Sequence, residues 1–252
     1  MLHKASERKI EAVQFSLLMY FIAFLKDDKA AIEREMTERR AKLEAMGSFE
    51  HQEALTLAYQ GRLQEADRLS ERAVSLARQA RLPERAAMFT GARAVWNALY
   101  GTRARAQIDA GAALSFGRSR DTDYGPAFAL ALLNVPAQVH QIKAGLEKLY
   151  PEDTCVQFSY LPVLRALEAL NQGDPAKALE MTHAATPYDL AIPGTAHNNA
   201  AYFGALYPVY VRGLAYSRMD LRGSAQGGHT QVSQAVPGAL SPGNRRYCRR
   251  SR

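Results

Sequence analysis

Apolar residues recur at three- and four-residue intervals along most of this chain, and short polar turn signals interrupt them. Leu161, Leu164, Leu167 and Leu170 form one such stripe, with small Ala166 and Ala169 beside it; that spacing is one face of a helix. Gly173 ends the helix in the manner of a left-handed C-terminal glycine. Asp174 and Pro175 then supply an N-cap and a first-turn proline for a second helix through Ala178, Leu179, Met181 and Ala185. A hairpin this short cannot bury both faces alone, so the pattern implies stacked neighbours.

The same unit is legible upstream. A first hairpin is predicted from about Glu11 to Leu43, with Phe15, Leu18, Phe21, Ile22 and Leu25 before a turn at Asp27 and Ile32, Met36 and Leu43 after it. A second spans Glu50 to Gln79, with Ala54, Leu57 and Ala58 before Gly61 and Ala66, Leu69, Ala73 and Leu76 after it. A third spans Glu84 to Phe116, with Ala94 and Trp96 before Gly101 and Ala106, Ile108, Ala113 and Leu114 after it. Ala54, Gly61, Ala66 and Ala73 align with Ala94, Gly101, Ala106 and Ala113 at one offset of 40 residues. A fourth spans Asp123 to Tyr150, with Ala127, Leu130, Ala131 and Leu132 before Asn134 and Val139, Ile142, Leu146 and Leu149 after it. Turn positions at Asp27, Gly61, Gly101, Asn134 and Gly173 are 34, 40, 33 and 39 residues apart, a spacing that suits tetratricopeptide-type units. The predicted fold is all-α: a right-handed α-solenoid of about five to six helical hairpins.

After Thr186 an irregular linker precedes a Tyr- and Ala-rich helical segment, Ala200 to Met219, read as the first helix of a sixth hairpin. From Leu221 the periodicity stops, and a composition poor in apolar periodicity predicts a disordered tail. That tail is expected to replace a normal second helix, as an out-of-frame or prematurely terminated end would. The expected organisation is an N-terminal extension over 1–10, a repeat domain over 11–219 and a basic tail over 220–252. Without a second helix to cap it, the Ala200 to Met219 segment is expected to leave apolar surface open to self-association.

Charge changes the picture only locally. The formal net charge is +7 over 252 residues, yet Leu221 to Arg252 contains six arginines and no acidic residue, leaving 26 basic against 25 acidic residues before it. The body is near neutral, so no specific nucleic-acid binding is expected and any phosphate attraction belongs to the tail. Cys155 and Cys248 are too few for a disulfide framework and fit a reducing cytoplasm. The apolar run Val13 to Leu25 is too short for a membrane span and leads into a turn, so no membrane association is expected.

The chemistry of catalysis is missing from the motifs. There is no G-x-x-x-x-G-K-[ST] or G-x-G-x-x-G, no H-R-D loop with D-F-G, and the six histidines show no metal-ligand spacing. No cofactor, metal or catalytic residue is assigned, and the chain is read as a non-enzyme. Carboxylate pairs such as Asp27-Asp28 and Glu152-Asp153 lie at turns and helix starts, where they cap. Trp96, the single tryptophan, is read as core. Tyr202, Tyr207 and Tyr210, with Arg212, form the candidate partner-binding set, since interfaces favour aromatic anchors and arginine.

With these positions in hand, the chain resembles the tetratricopeptide repeat superfamily. More narrowly, it is similar to the repeat-containing C-terminal region of soil-bacterial serine/threonine protein kinases and winged-helix regulators. The narrower resemblance is carried by Tyr20 to Lys26, Ala127 to Leu132, Pro151 to Thr154, Phe158 to Leu161, Arg165 to Leu170, Gly173 to Pro175, Pro187-Tyr188 and Phe203 to Gly213. It implies a protein- or peptide-binding scaffold with no chemistry of its own. The alternative it implies is a detached sensor or regulatory region of such a kinase or transcription regulator.

Overall fold

A computed structural model describes residues 19–20, 22–33, 47–189 and 206–225, the side chains of 221–225 excepted. Among the described residues there is no strand; the protein is all-helical. Helical segments at 22–25 and 29–33 flank a turn at Asp27, which has φ 54°, and Asp28 caps the second by accepting from the Ala31 N–H at 3.0 Å. Then follow α1 (Ser48–Tyr59), α2 (Leu63–Gln79), α3 (Pro83–Tyr100), α4 (Arg103–Phe116), α5 (Arg120–Leu132) and α6 (Pro136–Leu149). A π-helical turn (Val156–Tyr160) runs into α7 (Leu161–Asn171), followed by α8 (Pro175–His183), a 3-10 turn (Thr186–Tyr188) and α9 (Tyr207–Ala225).

The helix ends follow local turn chemistry. Gly61 and Gly173 sit at φ 80° and Asn134 at φ 55°, the left-handed positions that glycine and asparagine tolerate best. Asp174 accepts from the Lys177 N–H at 3.0 Å and Pro175 opens α8. Ser119 and Thr122 form a reciprocal capping box at the start of α5. Gly101 is different: its φ is −102°, and a Cβ there would lie 2.2 Å from Asn97 Oδ1 and 2.9 Å from Asn97 Cα. It aligns with Gly61 in sequence but is required for space rather than for handedness.

Within each pair the helices pack side by side, α1 on α2, α3 on α4 and α7 on α8, and α3 lies also against α2 and α5. The alanines of the 40-residue offset explain how closely they approach: Ala54, Ala66, Ala73, Ala94, Ala106 and Ala113 are all fully buried. The N-terminal helix joins the stack through Tyr20, whose hydroxyl meets Thr56 Oγ1 at 2.8 Å. One core runs from Met88 and Val95 through Tyr124, Phe128 and Leu146 to Leu164, Tyr207 and Val211, and two smaller clusters surround Phe49 with Phe89 and Leu55 with Trp96.

Four expectations need adjustment. Ile108 is 66 % exposed, because Ala106, Asp109, Ala110 and Ala113 make the buried stripe of α4 and leave Ile108 on the opposite face. Leu149 is 67 % exposed as the last residue of α6, beyond the buried stripe Val139, Ile142 and Leu146. The fifth hairpin begins at Thr154 rather than Leu161. Pro162 has no N–H for the Phe158 carbonyl, and the turn before it widens so that the Leu161 N–H donates to the Val156 carbonyl. Finally, α9 continues past Met219 to Ala225. Residues 1–18, most of the second helix of the first hairpin, the linker including His197 to Asn199, and 226–252 lie outside the described residues.

Candidate functional site

The structure separates the tyrosines that the sequence groups together. Tyr207 is buried: its ring packs on Phe128 at a centroid distance of 4.3 Å and edge-on to Tyr124 at 6.1 Å. Tyr124 in turn stacks on Tyr160 at 3.8 Å with planes 5° apart. Tyr207 thus holds α9 to α5 and offers no anchor to a partner. Arg212 is ion-paired with Asp189. Tyr210, by contrast, is 39 % exposed. Partial burial raises its phenol pKa above the ordinary value, and the Tyr100 phenol is near enough to raise it further. Tyr202 lies outside the described residues.

Tyr100 leads to a feature that no single element reveals. Between α1 and α3 lies an open apolar cleft of about 450 Å³, lined chiefly by Leu55, Tyr59, Leu63, Trp96, Leu99 and Tyr100. Its two tyrosines stand at 75 % and 70 % exposure, whereas Trp96 is nearly sealed and forms part of the wall. The indole is fixed: Nε1–H donates to Asp67 Oδ1 at 2.9 Å, and Asn97 Nδ2 donates to the same oxygen at 3.0 Å. Phe24 meets the Tyr59 ring edge-on at 6.0 Å. A concave, mostly apolar site with a rigid floor and exposed aromatic rims takes an apolar or aromatic group out of water. Sequence reasoning placed Trp96 in the core and passed over Tyr59 and Tyr100. The available signal is that each lies within two residues of a turn glycine, Gly61 or Gly101, where a large apolar side chain at a helix end is easily exposed.

Beside the cleft is a buried polar network that sequence reasoning also missed. Asp109, almost inaccessible, accepts from Arg93 Nη2 at 2.7 Å and from Arg105 Nε at 3.1 Å, and Arg105 also pairs with Glu71. His51 is fully buried, stacked on Phe89 at 4.2 Å, with Ser70 Oγ 3.5 Å from Nδ1 and, among the described residues, no partner on Nε2. Burial, assisted by the nearby charge of Arg93, pushes its pKa down to about 3. A neutral imidazole sealed between aromatic rings has no substrate-accessible edge, so its role is structural.

A second knot ties α5 to the π-helical turn. Tyr160 donates to Asp121 Oδ1 at 2.8 Å, and Arg120 bridges Asp121 at 2.9 Å and Asp153 at 2.8 Å. Burial and the Asp121 charge hold the Tyr160 phenol above its ordinary pKa. Asp153 also accepts from the Val156 N–H at 3.0 Å, which is the capping role expected for this carboxylate. Cys155 is half-buried. Among the described residues no group of three His, Cys, Asp or Glu side chains converges as a metal site would require, and no helix is long and apolar enough to cross a membrane. No protein-family model, curated protein or solved structure matches the chain. The tetratricopeptide resemblance therefore rests on the residues that carry it.

Proposed function

We propose that this protein is a non-catalytic, cytoplasmic scaffold of tetratricopeptide type, a right-handed stack of helical hairpins that binds a protein or peptide ligand. The observation that carries the reading is the α1–α3 cleft, where Trp96 is fixed behind exposed Tyr59 and Tyr100. Aromatic anchors around a desolvated pocket are the residue types that dominate binding energy at interfaces. Of the residues singled out in sequence, Tyr210 is part-exposed on α9, outside the residues that line the cleft. Tyr207 and Arg212 act instead by holding α9 in place.

The test uses the single tryptophan as a reporter. Peptides selected by display against the chain should change Trp96 fluorescence on binding. Tyr59→Ala and Tyr100→Ala should each weaken that binding by about tenfold or more while leaving the thermal melt unchanged. Tyr207→Ala should lower the melting temperature instead, because it removes a buried ring from the core. Ligands that bind both rim variants as tightly as the natural chain would place recognition elsewhere and refute the cleft.

The regulatory alternative, a detached sensor region, makes the ligand a kinase or DNA-binding domain. What supports it is the segment Phe203 to Gly213, whose described part places Tyr207 and Val211 in the core, as a motif specifying packing would. Capture of such a domain by the purified chain distinguishes it from a general peptide scaffold.

A further inference from the structure

We propose that the α1–α3 cleft takes an arginine side chain of a peptide ligand, its guanidinium flat against the Tyr59 and Tyr100 rings; this rests on the cleft being the recognition site and names the chemistry it selects. The lining itself is apolar and aromatic, which would suit any hydrophobic group. The polar groups around it are more selective, because they accept hydrogen bonds and carry an uncompensated negative charge.

The C-terminal end of α3 is open where the equivalent ends are closed. At the end of α1 the Gly61 and Arg62 N–H groups donate back to the Ala58 and Leu57 carbonyls at 3.0 and 2.9 Å, and Gly173 and Asp174 close α7 in the same way on Leu170 and Ala169. Gly101 lacks the left-handed φ of Gly61 and Gly173, and its N–H donates to the Asn97 carbonyl at 3.0 Å. Among the described residues no backbone N–H reaches the carbonyls of Ala98, Leu99 or Tyr100. The negative end of the α3 dipole and its bare acceptors therefore fall on residues whose side chains, Leu99 and Tyr100, line the cleft. No basic side chain stands in the last turn of α1 or of α3 to meet them. Asp67 adds a full charge. Its Oδ1 accepts from the Trp96 indole and the Asn97 amide, both neutral donors, and among the described residues no cation pairs with it. Of the cations nearby in sequence, Arg62 is spent on Glu65 through two hydrogen bonds, Nε at 2.8 Å and Nη2 at 2.5 Å. Arg103 is exposed, where water and salt screen it more than they screen the half-buried Asp67. A guanidinium matches this combination: it is flat and weakly hydrated, it stacks on aromatic faces, and its N–H edge remains free for carbonyl oxygens. A lysine ammonium has no flat face to lay on the rings, and an apolar side chain leaves the acceptors unmet.

The probe is the tightest peptide selected by display against the full chain whose binding is weakened by Tyr59→Ala and Tyr100→Ala. It is compared with the same peptide carrying citrulline in place of arginine, which keeps the shape of the side chain and removes its charge. The citrulline form should bind about tenfold or more weakly. Asp67→Asn, which retains an oxygen for the Trp96 indole, should weaken the arginine form and leave the citrulline form unchanged. Because the change from arginine to citrulline leaves the protein untouched, it decides the outcome even if Asp67→Asn fails to fold. A cleft-dependent peptide that contains no arginine, or one whose citrulline form binds equally well, overturns the arginine assignment while recognition at the cleft stands. Peptides whose binding ignores both rim variants overturn recognition at the cleft and the arginine assignment with it.

Discussion

His51 shows how much one residue can set in this fold. Its ring is fully buried against Phe89, and burial followed by the charge of Arg93 takes its pKa from the ordinary 6.5 to about 3. Between those two values the unfolded chain binds a proton that the folded chain excludes, so stability rises with pH across that window and is complete above about 6.5. Acidification from pH 6.5 to 5 should therefore remove roughly 2 kcal/mol of stability through this group. His51→Gln, which does not titrate, should flatten that part of the urea-denaturation profile against pH. An equally steep profile in His51→Gln would assign the acid sensitivity to other groups. None of this was legible beforehand, because a histidine in sequence carries no mark of the rings that will enclose it. The same holds for Arg93 and Asp109, 16 residues apart and paired only because α3 and α4 fold back on each other.

At the scale of the element, the turns were the most legible feature, since their chemistry is local. Gly61, Asn134 and Gly173 take the left-handed conformations that their residue types announce, and Asp174 with Pro175 starts α8 as expected. Gly101 occupies the aligned position without the left-handed φ, and its role becomes visible only when Asn97 is placed beside it. The two glycines should consequently respond differently to a methyl group. Gly61→Ala strains the backbone at φ 80° but meets no atom within 4 Å, and should cost about 1 kcal/mol. Gly101→Ala drives a Cβ into Asn97, whose side chain is held by Asp67 and by the Arg93 carbonyl, and should cost about 2 kcal/mol or more. Equal urea midpoints for the two variants would contradict this division. The offset of 40 residues also read correctly at this scale, since alanines at both sets of positions are fully buried. The inward direction of Ile108 and Leu149 did not, because helical spacing names a candidate face and only the neighbouring helix decides which face is covered.

For the whole molecule, the hydrophobic pattern identified an all-helical chain and most of its helix pairs. The candidate site was less legible: of the tyrosines grouped by sequence, one went to the core and one to an exposed face. The cleft arises from residues more than 30 positions apart that meet only after α1 and α3 pack. Recognition at that cleft is tested by the backbone amide shifts of the isotopically labelled chain titrated with a display-selected peptide. The largest shifts should cluster at Leu55 to Leu63 and at Trp96 to Tyr100. Shifts concentrated on α6 and α8 with the cleft amides unmoved would contradict it.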